Sequence, residues 1–209
     1  NPLAGLKPSA ISVKGRRDPL KATARGRVLD DDELRAFWQS AESAGLRRLT
    51  ALALKLVLVT GRRPGEVAGL HEGEIEGRLW TIPAARRGKT ETAHNVHLTD
   101  LALGLLDEAR DELARLRRRR KDKPSGHLFE AAPGAPITAA ALSRAVERTH
   151  VALGAKIDPQ WGRWTPHDLR RTMRTGLSAC RVRPDIAELT IGHVKRGIVA
   201  TYDLHGFEP

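Results

Sequence analysis

The first 28 residues, NPLAGLKPSAISVKGRRDPLKATARGRV, show no hydrophobic period, and proline, glycine and basic residues dominate them. An extended arm or linker is predicted there. From Asp30 the pattern turns helical: Asp30 and Glu33 are spaced as a capping box, with Asp in place of Ser or Thr. Leu34, Phe37 and Trp38 then fall on one face. A second helix is predicted over 46–60, apolar nearly all round apart from Lys55, and so buried. It stops at Gly61, and Pro64 is placed to start a short third helix. Two β-prone runs, 79–82 and 94–98, flank a basic, glycine-containing connection, which predicts a small antiparallel hairpin or three-stranded sheet. Thr99 caps a long helix to about 118 and Thr138 another over 139–152. After a loop holding Trp161 and Trp164, Thr165-Pro166 opens a helix through 180, and Pro184 starts a last one ended by Gly192. The fold class expected is mainly α with one small antiparallel β-sheet (α+β).

Composition narrows the partners. At 209 residues and 22.9 kDa, with 40% hydrophobic residues, the chain can bury a core as one large domain or two small ones. A formal charge of +11 and a pI near 10.6 attract polyanions, with nucleic acid ahead of an anionic membrane. No apolar run approaches a bilayer span and no signal-peptide core opens the chain, so a membrane role is not expected. Cys180 is the sole cysteine, which excludes an intrachain disulfide and fits a reducing cytoplasm. Its setting, GLSACRV, predicts packing of the thiol in the core. His94 and His97 alternate to opposite faces of a strand, so no shared metal site is expected, and no cofactor. The run RLRRRRKDKPSG reads as a solvated helix end, with phosphate contact the alternative.

Four stretches place polar groups where packing does not ask for them. In TGRRPGEV (60–67), Glu66 follows Arg63 by three residues and is placed to hold its guanidinium, as a fixed phosphate-binding arginine requires. In TPHDLRRT (165–172), His167 in a first helical turn and Arg170 one turn later make an anion seat. In LTIGHVKRGIVATY, His193 projects from a helix end and Tyr202, the only tyrosine, lies nine residues on. Lys89 stands at the hairpin tip in RRGKTETAH. Two arginines, two histidines, a lysine and a tyrosine, with no carboxylate pair and no Walker-type glycine loop, suit metal-independent phosphoryl transfer to a tyrosine nucleophile.

The order T-G-x-R-x-x-E, hairpin lysine, H-x-x-R, G-H and a tyrosine nine residues later resembles the catalytic domain of the tyrosine recombinases, the phage integrase family, over roughly 28–206. The arrangement RVLDDDEL…TGRRPGEV…HDLRRT…GH…YDLHG is most similar to integrases of prophages and genomic islands. The resemblance implies Tyr202 as nucleophile and Arg63 and Arg170 as the clamp on the scissile phosphate. It implies His167 as general acid/base toward the tyrosine, and His193 as hydrogen-bond donor to a non-bridging oxygen. Lys89 would protonate the leaving 5′ oxygen, and Glu66 would be structural; Arg62 and Arg171 stand beside the motif positions but off register.

By this resemblance the chain is a site-specific DNA recombinase that cuts and rejoins strands through a 3′-phosphotyrosyl link. Its partner is double-stranded DNA, four full-length protomers acting on two duplexes in the bacterial cytosol at the nucleoid. Residues 1–28 would be a basic arm from a missing N-terminal DNA-binding domain and 29–209 the catalytic domain, an isolated fragment ending before the C-terminal helix that many relatives exchange. Two rival readings stand beside it. A type IB topoisomerase uses similar residues to reseal the same strand, and a catalytically silent DNA-binding module would need only the charge.

Overall fold

The greasy run after Leu46 becomes the axis of the molecule. The computed structural model describes residues 27–87, 92–121, 123–154 and 162–193. In it α2 (Arg48–Thr60) buries Leu49, Ala51, Leu52, Ala53, Leu54, Leu56 and Val57, residues that point in every direction from its axis. The reason is its position: it packs against both α4 (Asp100–Arg120) and α6 (Pro166–Ala179). Each fully buried leucine contributes about 1.5–3 kcal/mol of transfer free energy. Lys55, the one charge in the run, lays its ammonium 5.1 Å from the Trp38 ring centroid, so it is not left unpartnered.

Around that axis stand α1 (Asp31–Ser40), α3 (Pro64–Ala68), α5 (Ala139–Gly154) and α7 (Pro184–Thr190). The capping box forms as the spacing predicts, Asp30 accepting from Glu33 N at 2.9 Å and Glu33 accepting from Asp30 N at 3.0 Å. Phe37 of α1 meets Trp164 edge-on, ring centroids 5.4 Å apart, closing the core from that side. Thr99 and Thr138 cap α4 and α5 through their hydroxyls. Both helices run two residues beyond the predicted ends, to Arg120 and Gly154.

The sheet is antiparallel in the order β1 (Ile75–Glu76), β2 (Leu79–Ile82), β3 (His94–His97), with Trp80 opposite Val96 and Ile82 opposite His94. Trp80 and Ile82 face the core and Leu79 and Thr81 face out, the alternation of a sheet solvated on one side. The structure corrects two expectations. A second, two-stranded ribbon joins β4 (Glu130–Ala132) to β5 (Ala135–Pro136). Its strands are two or three residues long and carry no β-branched residue, so periodicity could not announce it. Cys180 is exposed rather than packed in the core. It sits past the end of α6, whose buried residues, Pro166, Asp168, Leu169, Arg170 and Thr172, all belong to its first half.

A candidate active site at the end of the central helix

At its C-terminal end α2 stops on Gly61, which adopts φ 62°. A β-carbon there would lie 2.8 Å from Met173 Sδ, so glycine serves both the left-handed turn and the close approach of α6. The two residues that follow part company: Arg62 is 1% exposed, whereas the Arg63 side chain is 38% exposed. Pro64 opens α3, and Glu66, three residues on, accepts from Arg63 N at 2.9 Å and from Arg63 Nη1 at 2.7 Å. A buried carboxylate thus fixes a guanidinium that still reaches the surface. Burial opposes the charge on Glu66, but the hydrogen bonds from Arg63 and the nearby Arg62 hold its carboxyl below the usual range.

The second wall is the start of α6. Thr165 donates through its N–H (2.8 Å) and its hydroxyl (2.9 Å) to Asp168, which is wholly buried and also receives Arg171 at 2.7 Å. This fixes the first turn, leaves Arg171 committed to an ion pair, and presents His167 exposed at the helix start. His167 is pushed below the ordinary histidine value by partial desolvation of its ring, then by the charges of Arg171 and Arg170. Its imidazole is therefore neutral at physiological pH. Arg170, one turn on and 3% exposed, donates from Nη1 to Gly61 O and to Ile191 O, both at 2.6 Å.

The third wall is the end of α7, where three consecutive carbonyls each receive a different guanidinium. Arg62 donates to Thr190 O, Arg170 to Ile191 O, and Arg87, 7% exposed, to Gly192 O at 3.1 Å. A helix end leaves such carbonyls without partners, and here the partners are cations. Gly192 turns the chain at φ 77°, and a β-carbon there would meet Arg62 Nη1 at 2.6 Å. His193 follows at once and leans its Nδ1 on Glu188.

The electrostatic balance of this corner is one-sided. Arg62 is lowered to about 9, by burial first and then by Arg170, Arg87 and Arg63, and Arg170 to about 10, by burial first and then by Arg63 and Arg87, with Glu66 opposing both falls. Both remain charged at neutral pH. Arg87 is lowered by burial and by Arg63, and half-buried His94 falls to about 4 through burial, Arg62 and Arg87. A region that resists further positive charge this strongly has room for an anion.

Of the residues singled out in the sequence, the structure brings Arg63, His167 and Arg170 into one another's field, with His193 joined to them through the end of α7. Lys89 and Tyr202 lie outside the described residues. Sequence reasoning missed Arg62 and Arg87 as builders of this corner, and Glu188 beside His193. A signal existed for the first two: each belongs to an arginine doublet, Arg62-Arg63 and Arg86-Arg87, and two helices end on Gly61 and Gly192 with carbonyls to satisfy. Among the described residues no three His, Cys, Asp or Glu side chains come together as metal ligands, and no helix is long and apolar enough to cross a membrane.

The family described as "Phage integrase family" matches residues 27–207. Among solved structures, the chain is similar to the Tn1549 transposon integrase in complex with transposon right end DNA, with a TM-score of 0.65 at 17% identity over 83% of this chain and 60% of that one. The XerH site-specific recombinase bound to difH substrate gives a TM-score of 0.61 at 24% identity, over 80% of this chain and 47% of that one. The lambda integrase catalytic core gives 0.60 at 19% identity, over 83% of this chain and 95% of that one. This chain therefore spans less than two thirds of the first two proteins' structures and nearly all of the third. No curated protein matches it.

Proposed function

The chain belongs to the phage integrase family, and from that premise we propose that it is the strand-cutting and strand-joining part of a site-specific DNA recombinase. The observation that carries this reading is the corner at the end of α2. There a half-exposed arginine held by a buried carboxylate, a neutral histidine and further buried guanidiniums lie in one another's field, with positive charge outnumbering negative. Such a corner suits a phosphodiester whose charge grows as a fifth oxygen adds to phosphorus.

In the proposed reaction Tyr202 Oη bonds to the scissile phosphorus and the P–O5′ bond breaks. The tyrosine proton passes to neutral His167, and the departing 5′ oxygen takes a proton from Lys89. Arg63 faces the phosphate from the surface side. Arg170, its Nη1 engaged by two carbonyls, offers the rest of its fork. His193 donates to a non-bridging oxygen. A 5′-OH from a partner strand then attacks the phosphotyrosine and releases the enzyme. One phosphodiester is exchanged for another, so the scheme needs no nucleotide hydrolysis and no metal ion. On the same reading the partner is duplex DNA, acted on by four full-length protomers across two duplexes in the bacterial cytosol, with residues 1–28 as the arm leading from a DNA-binding domain and 29–209 as the catalytic domain.

The test is a covalent trap. Incubated with a pool of nicked duplexes of randomised sequence and run on a denaturing gel, the wild-type chain should give a protein–DNA adduct, and Tyr202→Phe none. An adduct that persists in Tyr202→Phe, or that forms only with added divalent metal, would overturn the mechanism. Plasmid relaxation by monomers without exchange between two sites would turn the reading to a topoisomerase.

A further inference from the structure

Glu188 has no part in the motif that led to the site, yet its carboxylate lies between His193 and a further arginine, Arg174. Arg174 Nε donates to Glu188 Oε1 at 2.7 Å, and the other oxygen, Oε2, meets His193 Nδ1. The backbone repeats the link, with His193 N donating to Glu188 O at 2.9 Å. Arg174 is itself tied back to Ser178 Oγ at 2.7 Å, so the carboxylate is approached from a braced side chain. Glu188 also lies within the field of Arg170, one of the two proposed clamp residues.

We propose that Glu188 is a positioning residue for His193: its carboxylate takes the Nδ1–H and thereby turns the Nε2 edge of the ring toward the phosphate. The proposal rests on the strand-transfer reading for its consequence, though not for its geometry. Burial works against the charge on Glu188, but hydrogen bonds from Arg174 and His193 hold its carboxyl below the usual range, so it is ionised and acceptor-only. An acceptor-only partner requires the proton on Nδ1. The contact thus makes Nδ1 the edge that faces Glu188 and leaves Nε2 as the edge that can meet the phosphate. Without Glu188, a side chain that is 49% exposed has its two χ angles free and no reason to keep Nε2 in place.

Two measurements on the 209-residue chain test this. The first needs no DNA: in ¹⁵N spectra of the imidazoles at neutral pH, His193 should show a protonated Nδ1, a signature lost in Glu188→Ala and kept in Glu188→Gln, whose side-chain carbonyl still accepts. The second is the rate of adduct formation. Glu188→Ala should slow it roughly tenfold, within the range for residues in direct contact, with DNA affinity unchanged. Glu188→Gln, which keeps an acceptor for the ring but not the carboxylate's charge, should fall between Ala and wild type. In a His193→Ala background, Glu188→Ala should cost nothing further. A His193 signal indifferent to Glu188→Ala, or a second full loss in the double variant, would overturn the proposal and assign Glu188 to bracing Arg174. If the wild type forms no adduct at all, the strand-transfer reading fails, and the spectrum alone decides whether Glu188 sets the His193 ring.

Discussion

Both ends of α2 are rich in arginine, and they use it in opposite ways. At the start of the helix a cavity of about 640 Å³ is lined in part by Arg47, Arg48, Arg115, Arg120 and Arg148. Carboxylates share that end: Arg48 pairs with Glu42 and Glu108, Arg115 with Glu112, and nearby Arg117 with Glu130. The Arg48 and Arg115 side chains are 42% and 53% exposed, so water and salt screen much of what remains. At the other end Arg62, Arg87 and Arg170 are sunk beneath the surface and bonded to main-chain carbonyls, which carry no net charge to cancel theirs. Total charge therefore says little about where an anion binds. What matters is how many guanidiniums are buried against dipoles rather than carboxylates.

The sharpest way to break that comparison is to remove one arginine from each end. Arg63→Ala should slow adduct formation roughly 10²- to 10³-fold, the usual cost of losing one contact to developing transition-state charge. Its thermal midpoint should fall as well, because Glu66, 2% exposed, loses the guanidinium that holds its carboxylate. Arg115→Ala should leave the rate alone. Comparable rate losses in the two variants would erase the distinction between the ends.

Arg62→Met sharpens it differently. The variant removes the donor that serves Thr190 O and Thr60 O and leaves the buried Thr60 carbonyl without it, at roughly 1–3 kcal/mol. Urea titration should register that loss. A stable but inactive Arg62→Met would mean that Arg62 touches the phosphate and that the roles of the neighbours are reversed.

Acid should weaken the site end through its histidines. His94 titrates near 6.5 when unfolded and near 4 in the folded chain, so between those values the unfolded state holds the extra proton. Stability should thus fall as pH drops from 6.5 to 4, His167 adding to the slope in the same sense. His94→Asn should flatten that part of the curve in thermal melts taken across the range. An unchanged slope would place His94 outside the arginine field. The smallest effect belongs to the far end: Arg48→Ala should cost no more than about 1 kcal/mol, shrinking as salt is added.

Much of this was legible beforehand, for local reasons. Caps at Asp30, Thr99 and Thr138 and the stops at Gly61 and Gly192 act within four residues, so a single sequence displays them. Arg63–Glu66 and the His167/Arg170 pair are likewise set by helical spacing. What escaped was long-range or faint. Nothing near Arg87 says that it will meet Gly192 O, and nothing near Arg62 names Thr190 O. The ribbon at Glu130–Pro136 lacks alternation to read. Cys180 was placed inside by the small residues around it, but α6 leaves the core after Thr172, and a helix's own sequence does not say where its neighbours end.

Two of the arginines on the end of α7 also bear on how the protein is made. The bonds Arg62–Thr190 and Arg87–Gly192 span 128 and 105 positions. A ribosome that has released α2 and the sheet has exposed guanidiniums for which the matching carbonyls are not yet synthesised. Until residue 192 clears the exit tunnel those cations stay hydrated, and the concentrated field of the finished corner does not exist. Contacts of such separation are also the slow ones to form. A nascent chain released only as far as the sheet therefore lacks these two bonds, and the corner closes only after residue 192 has emerged.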